Sequence, residues 1–121
     1  MRYRLIEGGK KFVPNLHFYR SDGSCAFVTN EPKSAGRGVE REAGDYLSRC
    51  FLPSNFLNDG TYSISFALTS FPGMVVHFNE RDALMLRVVD PIEDVATRNE
   101  YAGPIPGAVR PSLDWEVKRL P

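Results

Sequence analysis

Residues 57–70, LNDGTYSISFALTS, carry nine positions of clean two-residue alternation. Tyr62, Ile64, Phe66 and Leu68 share one face, and Thr61, Ser63, Ser65, Ala67 and Thr69 share the other. Successive side chains of a strand point to opposite faces, so this stretch predicts a strand with an aromatic–aliphatic stripe for the core. Asn58-Asp59-Gly60 ahead of it is turn chemistry, because glycine accepts positive φ and Asn or Asp bonds its own backbone. The small, polar row has two readings: ordinary solvated sheet, or a shallow floor over which a polar ligand lies.

The rest of the chain has the same texture. Residues 2–6 alternate and predict a strand, and Glu7-Gly8-Gly9-Lys10 punctuates it. Residues 12–20 predict a second strand, whose early part Pro14 assigns to an edge or a bulge. Ser21-Asp22-Gly23-Ser24 between two apolar runs predicts a hairpin. With Asp22-Gly23 as its loop, Phe18 faces Phe27, Leu16 lies near Thr29, His17 faces Val28, Tyr19 faces Ala26 and Arg20 faces Cys25. Residues 30–43, charged and glycine-containing, predict a mobile surface loop. Further strands are expected at 44–52, 75–79 and 83–90, with a polar turn at Glu80-Arg81-Asp82 and a possible helical turn at 92–97. Leu113, Trp115 and Val117 alternate with Asp114 and Glu116, so the end reads as a strand approached by a Pro/Gly-rich arm. Short strands with turn signals and almost no helix indicate an all-β protein, an antiparallel β-sandwich. Phe18, Phe27, Tyr62, Ile64, Phe66, Leu84, Leu86 and Val88 are its expected core.

Composition narrows the function classes. The 121 residues suit a single domain, residues 1–121, with a core that needs no staples. Fifteen Lys and Arg balance fifteen Asp and Glu, which gives no electrostatic reason to expect nucleic acid or an anionic membrane. No run reaches the ~20 apolar residues of a membrane span. MRYRLIEGGKK lacks the apolar core and cleavage site of a signal peptide, so a cytoplasmic protein with Cys25 and Cys50 reduced and half-buried is expected. An inter-sheet disulfide of the immunoglobulin kind is the alternative. No phosphate-binding loop, dinucleotide fingerprint, nucleophile elbow or zinc-protease motif occurs, so no cofactor is expected. His17, His77 and Glu80 are a loose candidate metal set, and Glu80 with Asp82 a loose carboxylate pair. Neither has the spacing that its chemistry requires.

Three segments in order, CFLPSNFLNDGTYSISFAL, VVHFNERDALMLRVVD and YAGPIPGAVRPSLDW, resemble the C-terminal domain of the ATP-binding subunit of bacterial polysaccharide-export ABC transporters. The resemblance runs from about Tyr3 to Trp115. It implies an immunoglobulin-like sandwich that recognises an exported, O-antigen-like glycan through a modified non-reducing end. It further implies partnership with the transporter's ATPase and permease subunits at the inner face of the membrane, and a homodimer that exchanges the C-terminal strand around 111–118. Two departures from that family stand out: the ATPase domain is missing, and the sandwich begins about one strand late.

A sugar site needs hydroxyl-matching polar groups on a rigid sheet, with an aromatic ring for the CH faces of a pyranose. The non-core face offers His17, Tyr19, Arg49, Ser63, Ser65 and Arg87 as candidate glycan contacts, with Arg49 and Arg87 suited to an anionic chain end. The competing reading is a dimerisation or interaction module that binds no sugar. A glycan-modifying enzyme would need a catalytic motif that the sequence lacks.

Overall fold

A computed structural model describes residues 1–89, 101, 103–111 and 113–121. The described residues form six strands: β1 (Arg2–Leu5), β2 (Lys11–Arg20), β3 (Cys25–Asn30), β4 (Gly44–Leu47), β5 (Gly60–Phe71) and β6 (Val75–Val88). All ladders are antiparallel. The main sheet has the order β3-β2-β5-β6, and β1 pairs with β4 in a small second sheet. Isolated bridges also join Leu57 to Val109 and Lys10 to Arg41.

The β2–β3 hairpin shows how local chemistry sets register. Gly23 donates its N–H to the Arg20 carbonyl, and Arg20 donates to the Ser24 carbonyl, so three residues rather than two form the loop. Gly23 sits at φ 84°, a conformation that its missing Cβ makes inexpensive. The Phe18↔Phe27, Leu16↔Thr29 and His17↔Val28 pairs stand as the alternation predicts. Beyond them a bulge at Ala26 moves Tyr19 opposite Cys25 rather than Ala26. Pro14 interrupts nothing, because the β3 ladder ends at the Asn15↔Asn30 pair. Cys25 and Cys50 are exposed rather than half-buried, and are unbridged.

One face of the main sheet carries the core. At one end Tyr3 and Leu5 of β1 pack on Phe12 and Leu68, flanked by Tyr46 and Phe78. At the other end Phe18 stacks on Phe27 at 4.3 Å between centroids, and Phe56 meets Phe27 edge-on. Phe18, Tyr62 and Ile64 are buried as expected. Phe27, Phe66, Leu86 and Val88 are only half-buried, and Leu84 is 51% exposed, so it leaves the core list. The reason is topological. β6 is an edge strand, and the second layer covers it near Phe78 but not near Leu84.

Other expectations shift as well. Residues 75–88 form one strand, with no turn at residues 80–82. Residues 31–43 are fastened by a largely buried Glu31–Arg41 ion pair and hold a short 3₁₀ turn, Lys33–Ala35. The expected strand at 44–52 ends at Leu47. The helical turn expected at 92–97 lies outside the described residues. Residues 113–121 join no strand, so the strand expected there is absent, and Leu113, Trp115 and Val117 are exposed.

Candidate functional site

The face of the main sheet away from the core gathers its polar groups by register. Tyr19 pairs with Ser63 and Ser63 with Met85, so these three stand in one row across β2, β5 and β6. His17 pairs with Ser65 in the neighbouring row. On β6 that row is broken: Ile64 pairs with Leu84 and Phe66 with Glu80, which leaves Arg81, Asp82 and Ala83 opposite Ser65 alone. A bulge of this kind re-aims side chains, and here Asp82 adopts φ 50°, a left-handed conformation that Asp tolerates better than most residues.

The bulge turns Asp82 onto the small-residue row. Its N–H donates to Ser65 Oγ at 3.2 Å, and its carboxylate accepts a hydrogen bond from Ser63 Oγ. Ser65 is therefore buried, at 3% exposure, where alternation alone predicts an open floor. Between this bulge and the β2–β3 loop lies a hollow of about 490 Å³, lined among others by Tyr19, Arg20, Ser63, Arg81, Asp82 and Met85. The His17 ring stacks beside Tyr19 with centroids 6.3 Å apart, and its Nε2 lies 3.0 Å from Asn15 Oδ1. That contact steadies one side of the tyrosine wall.

The structure thus brings together His17, Tyr19, Ser63 and Ser65 of the expected set. Arg87 pairs with Thr61, one row further along, and is exposed outside the hollow lining. Arg49 stands apart: it follows β4 in the small sheet, exposed, and lines no part of the hollow. The cations that do border the hollow are Arg20 and Arg81. Among the described residues the ion pairs within 4 Å are Arg4–Asp45 and Glu31–Arg41, and Arg20, Arg81 and Asp82 form none there. Arg81 and Asp82 escape a reading by alternation because a register slip, not a repeat, places them.

The loose metal and carboxylate sets come apart in space. His77 lies against Phe12 and within 2.8 Å of Ser70 Oγ, on the core side, while His17 belongs to the opposite face. Glu80 pairs with Phe66 and Asp82 bonds Ser63, so the two carboxylates leave β6 toward different faces. Among the described residues no group of three or more His, Cys, Asp or Glu side chains is placed to hold a metal ion. None of their helices is long and apolar enough to cross a membrane.

The fold is similar to that in the crystal structure of the C-terminal domain of Wzt. The TM-score is 0.73 at 14% identity, over 98% of this chain and 67% of that one. No protein-family model matches the chain. Neither does any curated protein sequence.

Proposed function

We propose that this chain is a non-catalytic carbohydrate-binding domain that recognises a polysaccharide destined for export by an ABC transporter. The observation that carries the reading is the hollow beside Tyr19. Tyr19, Ser63, Ser65, Asp82 and the arginines Arg20 and Arg81 line it together on a rigid sheet. Such a surface exchanges water hydrogen bonds for sugar ones and offers modest apolar area, so affinity in the micromolar to millimolar range is expected. The shared fold with the Wzt domain supports the export setting, in which the chain works at the cytoplasmic face beside the ATPase and permease subunits. Tyr19, Ser63 and Ser65 form the wall and floor, with His17 braced against Tyr19 and Arg87 at the margin.

The test is a glycan array followed by calorimetric titration of the best binder. The expected result is a saturable hit on a bacterial polysaccharide, weakened about tenfold or more by Tyr19→Ala, since stacking aromatics anchor such sites. Saturable binding that Tyr19→Ala leaves unchanged would move the site elsewhere. No binding to any glycan would favour the interaction-module reading.

A homodimer belongs to the same proposal. Leu113, Trp115 and Val117 are 69%, 87% and 90% exposed, and a terminal segment with that much apolar surface suits a neighbouring copy. β6 presents a 14-residue edge with Val75, Val76, Leu84 and Met85 at least 47% exposed, which offers such a segment a ladder. The expected outcome is a dimer by light scattering that becomes a monomer, or aggregates, when residues 111–121 are deleted. A dimer that survives the deletion would overturn the exchange of this strand.

A further inference from the structure

We infer that Asp82 is the specificity-determining acceptor of the hollow, and that its ligand is an uncharged sugar offering two neighbouring hydroxyls. This deepens the glycan-binding reading and rests on it.

Three observations on one residue converge. The Asp82 backbone is held in the left-handed region by the β6 bulge, with its N–H on the buried Ser65 hydroxyl. Strained or sparsely populated conformations persist where the surrounding structure fixes them, and here the result is a carboxylate fixed beside the hollow. One carboxylate oxygen receives Ser63 Oγ, while the other has no partner among the described residues. Arg20 and Arg81 line the same hollow, yet neither comes within 4 Å of a carboxylate among the described residues. The hollow therefore presents a carboxylate that hydrogen bonds position and that makes no ion pair within 4 Å with a described residue.

The chemistry of that acceptor selects the ligand. An ionised carboxylate accepts hydrogen bonds and donates none. A sugar hydroxyl can donate to it, and hydrogen bonds to a charged acceptor are roughly twice as strong as neutral ones. A phosphate, sulfate or uronate group brings negative charge and no donor for that acceptor, so what it gains at Arg20 or Arg81 is offset by repulsion at Asp82. Two adjacent hydroxyls make the better match: one donates to the free carboxylate oxygen, while its neighbour accepts from Arg81 or Arg20. Tyr19 and Met85, in one row with Ser63, supply the apolar flank for the CH face of the same ring.

Asp82→Asn separates recognition from architecture. Asparagine tolerates the left-handed conformation, keeps the backbone donor to Ser65 and retains an oxygen for Ser63, while losing the charge. Wild type, Asp82→Asn and Asp82→Ala are titrated with neutral oligosaccharides and with matched anionic ones, and Tm is followed in parallel. The inference expects wild type to prefer the neutral ligands. It also expects Asp82→Asn to lose about tenfold of that affinity, with Tm nearly unchanged. Asp82→Ala should lose at least as much, and the preference against anionic ligands should shrink in both variants. If wild type binds glycans and Asp82→Asn binds them equally well, the inference fails and the glycan-binding reading stands. If wild type prefers the anionic ligands, Asp82 is not the selector and the inference is likewise overturned. If wild type binds neither class, the broader reading fails and takes this one with it.

Discussion

Asn58→Ala is expected to remove about 3–5 kcal/mol of folding stability, a large share of the ~5–15 kcal/mol available to a domain of this kind. Asn58 is 4% exposed and joins segments some fifty residues apart. Its amide donates to the Ile105 carbonyl at 2.7 Å and the Gly107 carbonyl at 2.6 Å. Its side-chain oxygen accepts from the Asp59 N–H at 2.9 Å and from the buried Arg110 guanidinium. The backbone completes the seam: Asn58 N–H donates to Ala108 and Arg110 N–H to Phe56. The Tyr62 hydroxyl lies 2.8 Å from the Asn58 carbonyl and 3.0 Å from that of Ala108, and burial raises its pKa, which keeps it a donor. Truncation would strand two carbonyls and one N–H and take an acceptor from a buried cation, and each such loss costs more than a made bond returns. Denaturant titration would measure the change. Asp59→Ala, at the exposed neighbour, serves as control and should be nearly neutral. A loss below about 1 kcal/mol for Asn58→Ala would mean that residues 105–110 are held by other contacts.

The same residue marks the limit of what the sequence makes legible. Asn58-Asp59-Gly60 reads as a turn, and locally it is one, with the Asp59 N–H on the Asn58 side chain. Nothing in a local pattern reveals that the amide also holds a carbonyl 49 positions away. The alternation of β5 survives because it reflects burial on one face of a central strand, which every residue of the stripe senses alike. β6 misleads for the opposite reason. Its apolar positions follow the alternation, yet an edge strand under a narrow second layer leaves Leu84 and Met85 facing solvent. The candidate site divides in the same way. His17, Tyr19, Ser63 and Ser65 come from regular strands and can be grouped once β2 and β5 are taken as neighbours. Arg81 and Asp82 enter through a bulge, where the side-chain period is broken and a polar triplet imitates a turn. Residue type alone groups Arg49 with His17 and Tyr19, and topology puts it beyond β4 of the small sheet.

Arg41→Ala is expected to cost about 3–5 kcal/mol, because it leaves a largely buried carboxylate without its cation. Arg41 and Glu31 pair with both side chains only 10% exposed. The second guanidinium nitrogen donates to the Tyr3 hydroxyl at 2.7 Å, and the group lies 5.6 Å from the Tyr46 ring, which itself stacks on Tyr3. One side chain therefore fastens residues 31–43 to both strands of the small sheet. Its backbone adds to this, exchanging hydrogen bonds with Lys10 and Gly9. Close packing leaves little room for adjustment: a Cβ on Gly8 would stand 2.7 Å from the Ala43 nitrogen. Arg41→Lys keeps the charge but loses the planar fork that serves Glu31 and Tyr3 together, so an intermediate loss is expected. The Arg4–Asp45 pair supplies the contrast. It is also well formed, at 2.7 Å, and the Arg4 bond lowers the Asp45 pKa, but its side chains are 73% and 49% exposed. Solvent screens such a pair, so Arg4→Ala should leave the denaturation midpoint within experimental error. Raising the salt concentration should likewise leave the cost of Arg41→Ala nearly unchanged, since a buried pair is weakly screened. Equal costs for Arg41→Ala and Arg4→Ala would mean that the Glu31–Arg41 pair is solvated in solution and that the end of the sandwich is held by the tyrosine stack alone.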